Sequence, residues 1–89
     1  MHKIVLFGFD GCPDCDEQKR ILLENFGDNW HYVDIDSKLD SHQELMAKYD
    51  ISDPPSLLII KSGAEGKSKI LRHVGIISAS KLRKFIDKF

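Results

Sequence analysis

Two cysteines are the residues of this sequence best suited to chemistry. They are Cys12 and Cys15, the only cysteines of the chain, in the segment Cys12-Pro13-Asp14-Cys15. Pro13 favours the first turn of a helix, because its missing N–H would have no intrahelical partner there. Thiols at positions i and i+3 of such a turn lie on one face and can close a disulfide. Cys12 then falls at the N-cap, where free N–H groups and the helix dipole favour a thiolate.

The predicted positions of the two thiols suit thiol–disulfide exchange. In that reaction an accessible thiolate attacks a disulfide, and a second thiol resolves the mixed intermediate. Cys15 lies one turn further into the helix and is expected to be less exposed. We therefore interpret Cys12 as the nucleophile and Cys15 as the resolving residue.

A metal site is the main alternative use of the cysteines, because a structural zinc ion takes about four ligands. Beyond the cysteines, the chain offers four histidines: His2, His31, His42 and His73. None has a paired spacing with another histidine or with the cysteines. We interpret each as a surface or strand-face residue and predict no metal ion.

Length and composition narrow the class of protein. The 89 residues are 42% hydrophobic and 30% charged, as in a globular domain. A net charge of -1 gives no electrostatic case for nucleic acid or an anionic membrane. The apolar run at residues 4–7 is too short for a signal peptide, so we expect a cytoplasmic, reducing compartment, where a purely structural disulfide is uncommon.

Apolar periodicity predicts one domain over residues 1–89, with elements in the order β-α-β-α-β-β-α. The predicted strands span residues 3–9, 30–36, 56–61 and 69–74. The predicted helices span residues 14–26, about a dozen residues capped by Asp36 or Ser37, and a last stretch capped by Ser78. The first and third strands are apolar on both faces, which indicates central strands covered by helices. Residues 62–68, with Gly63 and Gly66, predict a hairpin turn.

All three predicted helices have a recognisable apolar side, which in the first consists of Cys15, Ile21, Leu22 and Phe26. For the second helix it consists of Leu39, Leu45, Met46 and Tyr49, and for the third of Leu82, Phe85, Ile86 and Phe89.

Together with the cysteine pair, three later motifs resemble the thioredoxin/glutaredoxin superfamily over nearly the whole chain. The Cys-Pro-Asp-Cys segment after the first strand looks like a glutaredoxin site. The second half is more similar to thioredoxin: Pro55 enters an apolar strand, Lys61-Ser62-Gly63 follows, and Val74-Gly75 precedes the last helix. The resemblance implies a minimal thioredoxin fold, an α/β structure whose four-stranded mixed sheet has the order 2-1-3-4. Strands 1 and 2 would be parallel, and strand 3 antiparallel to strand 1.

The resemblance also implies a site and an activity. Pro55 matches the family's cis-proline beside the cysteines, and the implied substrate groove comprises Gly11, Pro13, Asp14, Pro54, Pro55, Val74 and Gly75. The expected activity is reduction of protein disulfides by a monomer with no bound cofactor. Thioredoxin reductase or glutathione would supply electrons, and ribonucleotide reductase is one implied target. A redox-related binding module without turnover, or a glutaredoxin-like protein holding metal or an iron–sulfur cluster, are the alternatives.

Three departures from the family pattern affect these expectations. Leu6 stands where thioredoxins carry a buried aspartate in the first strand. The segment from Val74 to Ser78 lacks the Gly-Gly-x-Asp-like sequence with which glutaredoxins hold glutathione, so glutathione is disfavoured as the donor. Pro54 has no N–H to offer an extended substrate before the cis-proline. Acidic residues around the cysteines, such as Asp14, are expected to oppose a Cys12 thiolate.

Overall fold

A computed structural model describes residues 2–51, 53–63, 66 and 68–88. Its elements follow the predicted order: β1 (His2–Gly8), α1 (Pro13–Phe26), β2 (His31–Asp34), α2 (Asp40–Tyr49), β3 (Ser56–Ser62), β4 (Ser68–Val74) and α3 (Ala79–Lys88). Within the described ranges, no helix has the length and apolar character needed to cross a membrane.

The four strands form one mixed sheet in the order β2-β1-β3-β4. β1 and β2 are parallel, whereas β3 runs antiparallel to both β1 and β4. The register places Val33, Phe7, Ser56 and Val74 in one row across the sheet. This topology confirms the predicted fold class, and the row marks the edge of the sheet at which β1 ends and β3 begins.

Apolar residues of β1 and β3 alternate between two cores, one on each face of the sheet. On one face they pack with α1 and α3 in a cluster containing Ile4, Leu6, Leu22, Leu57, Ile59, Ile77 and Leu82. On the other face they pack with residues of α2 in a cluster containing Val5, Phe7, Val33 and Leu58. A strand buried on both faces needs apolar side chains throughout, which explains the continuous runs.

The first and third helices agree with their predicted ends. Gly27, with a φ of 61°, follows α1, and its N–H donates to the Leu23 carbonyl. The Ser78 hydroxyl accepts from the Lys81 N–H at the start of α3. Leu82, Phe85 and Ile86 face the core as predicted, whereas Phe89 lies outside the described residues.

The prediction for the second helix was wrong at its start. The helix has ten residues, and its N-cap is Leu39 without a side-chain cap, in place of Asp36 or Ser37. The Ser37 hydroxyl instead accepts from the Leu39 N–H in the turn before the helix. Leu39 is 61% exposed and so does not belong to the apolar side, whereas Leu45, Met46 and Tyr49 pack against the core.

The ends of the second strand also differ from the prediction. The second strand covers residues 31–34 only, because Asp34 accepts from the Asp36 N–H in a local turn that ends the strand. Of the predicted hairpin turn, Ala64, Glu65 and Lys67 lie outside the described residues.

Candidate active site

Cys12 is the N-cap of α1, as predicted. Its backbone is extended, Pro13 opens the helix, and the Cys12 Sγ accepts the Cys15 N–H at 3.1 Å. The sulfur therefore occupies the place in which a serine or aspartate oxygen usually caps a helix. In the reduced protein the same N–H and the helix dipole favour a thiolate at this sulfur.

Cys12 and Cys15 are joined by a disulfide in the structure, with their Cα atoms 5.2 Å apart. Cys12 is 7% exposed and Cys15 is fully buried. Cys12 is thus the less buried of the two, so an attacking group can approach it more readily than Cys15. The assignment of Cys12 as nucleophile and Cys15 as resolving residue stays a prediction.

Behind the pair, the site is closed by Gly8 and Tyr32. A Cβ placed on the buried Gly8 would lie 3.1 Å from the Cβ and Sγ of Cys15 and 3.1 Å from the Tyr32 hydroxyl oxygen. Such separations are tighter than most real Cβ contacts, so Cys15 and Tyr32 would have to shift by a few tenths of an ångström to admit a side chain. Glycine at position 8 thus lets α1 begin directly against the end of β1, a requirement that the sequence analysis did not identify.

In front of the pair, the site is formed by the start of β3 and the end of β4. Pro55 is buried, its peptide bond with Pro54 is cis, and its carbonyl accepts the Gly75 N–H at 2.8 Å. Gly75 has a φ of 91°, a conformation that favours glycine. Because the row through Phe7, Ser56 and Val74 aligns these strand ends, the predicted groove residues of both strands lie at the edge from which α1 departs.

Of the remaining predicted groove residues, Gly11, Pro13 and Asp14 lie on the loop and first turn around Cys12, whereas Pro54 lies before β3. Gly11, with a φ of 85°, and Asp14 are exposed, and Pro54 is half-buried. Val74 is 55% exposed and Ile76 is 41% exposed. The rim of the site therefore combines apolar side chains from the β4 end with an acidic first turn of α1, which carries Asp14 and Asp16.

Gln18 is a second residue that the sequence analysis missed. Its side chain is fully buried, its Nε2 donates to the Ile77 carbonyl at 3.1 Å, and its Oε1 accepts the Ile77 N–H at 2.7 Å. We call this pair of hydrogen bonds the amide clamp. It holds the segment after β4 against α1, the helix that carries the cysteines. A signal was present, because Gln18 falls on the helix face shared by Cys15 and Leu22.

β1 contributes no carboxylate to the surroundings of Cys15. At the position discussed above it carries Leu6, which is apolar and fully buried in the core. A polar group on this side is the Tyr32 hydroxyl, whose oxygen is buried and whose O–H has no acceptor among the described residues. Burial raises the pKa of Tyr32, whereas Lys19, which interacts with the hydroxyl and whose Nζ lies 3.8 Å from the ring centroid, lowers it. Tyr32 is therefore neutral at physiological pH.

A metal site finds no geometric support in the described part of the chain. There, no three side chains of histidine, cysteine, aspartate or glutamate come together in a group that could hold a metal ion.

Comparison with known proteins relates this geometry to a family. The Glutaredoxin family model matches residues 4–62, and the comparison with curated proteins finds no match. Among solved structures, the chain is similar to Trichomonas vaginalis thioredoxin, with 25% identity, a TM-score of 0.73, and coverage of 99% of this chain and 78% of that one. It is also similar to a thioredoxin from Thermus thermophilus, with 20% identity, a TM-score of 0.71, and coverage of 98% and 72% respectively. The family match covers well over half of the chain and includes both cysteines, so the chain belongs to the glutaredoxin family, within the thioredoxin/glutaredoxin superfamily.

Proposed function

We propose that the chain is a thiol–disulfide oxidoreductase that reduces disulfides of other proteins. One observation carries the proposal: an N-cap cysteine whose sulfur accepts a helix N–H is disulfide-bonded to a buried cysteine one turn away. The glutaredoxin family match supports a thiol redox function. The choice of protein disulfides and of the dithiol mechanism is our proposal.

The reaction runs in two exchange steps that conserve atoms and electrons. The reduced Cys12 thiolate attacks a substrate disulfide, forms a mixed disulfide and releases one substrate thiolate. The Cys15 thiol then loses its proton and attacks the Cys12 sulfur, which forms the Cys12–Cys15 disulfide. The second substrate sulfur leaves and accepts a proton, so two electrons have passed from the dithiol to the substrate.

The rim of the site supports an extended peptide as the substrate. The exposed side chains of Val74 and Ile76 offer apolar contact beside the cysteines. Pro54 has no N–H, so the substrate forms at least one main-chain hydrogen bond fewer here than it would beside another residue type. Side-chain contacts therefore contribute a larger share of the affinity.

We further propose that glutathione is not the main electron donor. Ile76 and Ile77 occupy the segment after β4 in which a glutaredoxin would present a Gly-Gly-x-Asp-like sequence, and Ile77 is buried with both backbone groups in the amide clamp. A thioredoxin reductase with NADPH is the proposed donor. Cytoplasmic location, a monomeric state and ribonucleotide reductase as a target stay predictions.

Insulin reduction by dithiothreitol tests the main proposal. Wild-type protein should accelerate the precipitation of reduced insulin chains, and Cys12→Ser should abolish the acceleration. Cys15→Ser is the matched control, because it keeps the nucleophile and should accumulate a mixed disulfide with the substrate. If the wild type gives no acceleration, the protein is better described as a binding module.

The same preparations address the donor and the metal alternative. NADPH oxidation in the presence of thioredoxin reductase and oxidised protein should exceed the oxidation measured with glutathione and glutathione reductase. Zinc and iron contents of anaerobically purified protein should be well below one ion per chain. An iron–sulfur absorption spectrum would contradict the proposal.

A further inference from the structure

The Tyr32 hydroxyl is a buried polar group that the two exchange steps do not use. Its oxygen is inaccessible to solvent, and its O–H has no acceptor among the described residues, although Lys19 interacts with the hydroxyl and the ring packs against the core. Buried polar groups without a partner are unfavourable and uncommon in native proteins. In the oxidised protein, the Tyr32 O–H is therefore a hydrogen-bond donor without an acceptor.

The position of this hydroxyl relates it to Cys15. Tyr32 Oη and Cys15 Sγ each lie 3.1 Å from the point at which a Gly8 Cβ would be, so the two atoms are no more than twice that distance apart. Gly8 has no side chain to fill the point that both atoms approach. Reduction breaks the bond to Cys12 and frees the Cys15 Sγ to rotate into this space.

During the resolving step, a Cys15 thiolate needs a hydrogen-bond donor to stabilise its charge. Cys15 is fully buried, and burial among apolar groups disfavours a thiolate. The adjacent strand offers Leu6, which has no polar atom in its side chain. Tyr32 pairs with Leu6 in the sheet, and its hydroxyl lies on the same side as Cys15.

We propose that the Tyr32 hydroxyl donates a hydrogen bond to the Cys15 thiolate during the resolving step. This inference rests on the proposed dithiol mechanism and adds a residue to it. Cys15 first gives up its thiol proton, the thiolate then attacks Cys12, and the departing substrate sulfur takes up a proton and leaves as a thiol. Tyr32 keeps its own proton and stabilises the charge on sulfur between these events.

The charged groups around Tyr32 are consistent with a donor that stays protonated. Burial raises its pKa most, Lys19 on α1 lowers it, and Asp34 on β2 and Asp10 after β1 raise it further. The hydroxyl is therefore neutral across the pH range in which cysteine thiols titrate.

Thiolate absorbance measures the effect on Cys15 directly. In reduced Cys12→Ser protein, adding Tyr32→Phe should raise the pKa of Cys15 by about one unit, the tenfold change that one hydrogen bond to a charged group contributes. Tyr49→Phe is the matched control, because Tyr49 is the only other tyrosine and packs on the opposite face of the sheet. It too has a lysine at its ring, Lys48, and should leave the pKa of Cys15 unchanged.

A pH–rate profile separates hydrogen bonding from a structural role. Reduced protein mixed with an aromatic disulfide reporter releases one thiolate by Cys12 attack and a second by Cys15 attack. At a pH below the pKa of Cys15, Tyr32→Phe should slow the second phase about threefold. The variant has a smaller fraction of Cys15 thiolate, but that thiolate is more nucleophilic because its pKa is higher, which partly offsets the loss. Above both pKa values the variant should be about threefold faster than wild type. The first phase should not change, which shows that the fold is intact.

The outcomes distinguish the two proposals. A wild-type protein without a second phase contradicts the dithiol mechanism itself. Suppose instead that the wild type shows two phases, and that Tyr32→Phe has the same Cys15 pKa and the same pH–rate profile as the wild type. That result overturns the role of Tyr32 and leaves the dithiol mechanism standing.

Discussion

Replacing Gln18 by leucine removes the amide clamp while keeping a side chain of similar size. In the variant the Ile77 N–H and carbonyl stay buried without their partner, since Ile77 is itself 1% exposed. Each such group costs about 1–3 kcal/mol, and the apolar leucine returns about 1–2 kcal/mol. We expect the free energy of unfolding to fall by about 2–3 kcal/mol, the middle of the resulting range, out of about 4–13 kcal/mol for a domain of this size.

Urea unfolding of the oxidised protein measures this change. With a slope of about 2 kcal/mol per molar urea, the middle of the usual range, the midpoint should fall by about 1–1.5 M. Gln43→Leu is the matched control, because Gln43 is the other glutamine of the chain and lies exposed on α2. Its effect should stay within about 0.5 kcal/mol.

The clamp also has a consequence for activity. It fixes the segment that follows Val74 and Gly75, so its loss should lower kcat/KM for a protein disulfide while the alkylation rate of Cys12 stays near the wild-type value. If Gln18→Leu and Gln43→Leu shift the urea midpoint equally, the clamp does not stabilise the fold and this reasoning is refuted.

Three further substitutions test the walls of the site. Gly8→Ala places a methyl group 3.1 Å from Cys15 Cβ and Sγ and should destabilise the oxidised protein by about 1–3 kcal/mol in urea unfolding. An unchanged stability would show that the neighbouring side chains shift without cost. Pro54→Val restores a main-chain donor and should tighten the binding of a peptide disulfide by about 0.5–1.5 kcal/mol, measured by calorimetry, and an unchanged affinity would contradict the missing-bond argument. Asp14→Asn should lower the pKa of Cys12 by a few tenths of a unit in a thiolate titration, since Asp14 is exposed and solvent screens its charge; an unchanged pKa would exclude a direct effect of Asp14.

The parts of the fold that the sequence predicts are those in which one physical requirement determines residue type. β1 and β3 are buried on both faces, so their apolar runs identify them and their central place. Cys12 and Pro13 show the start of α1, because a helix N-terminus favours a capping side chain followed by proline. The cis Pro54–Pro55 bond was expected only from the family resemblance and is present.

The parts that the sequence did not reveal depend on contacts between distant residues. Gln18 is polar, and only its pairing with Ile77, 59 residues away, explains why it is buried. Gly8 is unremarkable until α1 is packed against β1. The predicted start of α2 was wrong for a different reason. None of the residues of α2 is fully buried, so packing constrains its apolar pattern weakly.

Most of the contacts that assemble the site involve main-chain atoms. Gly75 is held by the Pro55 carbonyl, Ile77 by its own N–H and carbonyl, and Cys15 packs against the bare backbone of Gly8. Contacts of this kind do not specify the exposed side chains between them. Val74 and its neighbours on the rim can therefore change with the substrate while the cysteines keep their geometry. This separation is compatible with the low identity, 20–25%, at which the chain shares its fold with the thioredoxins.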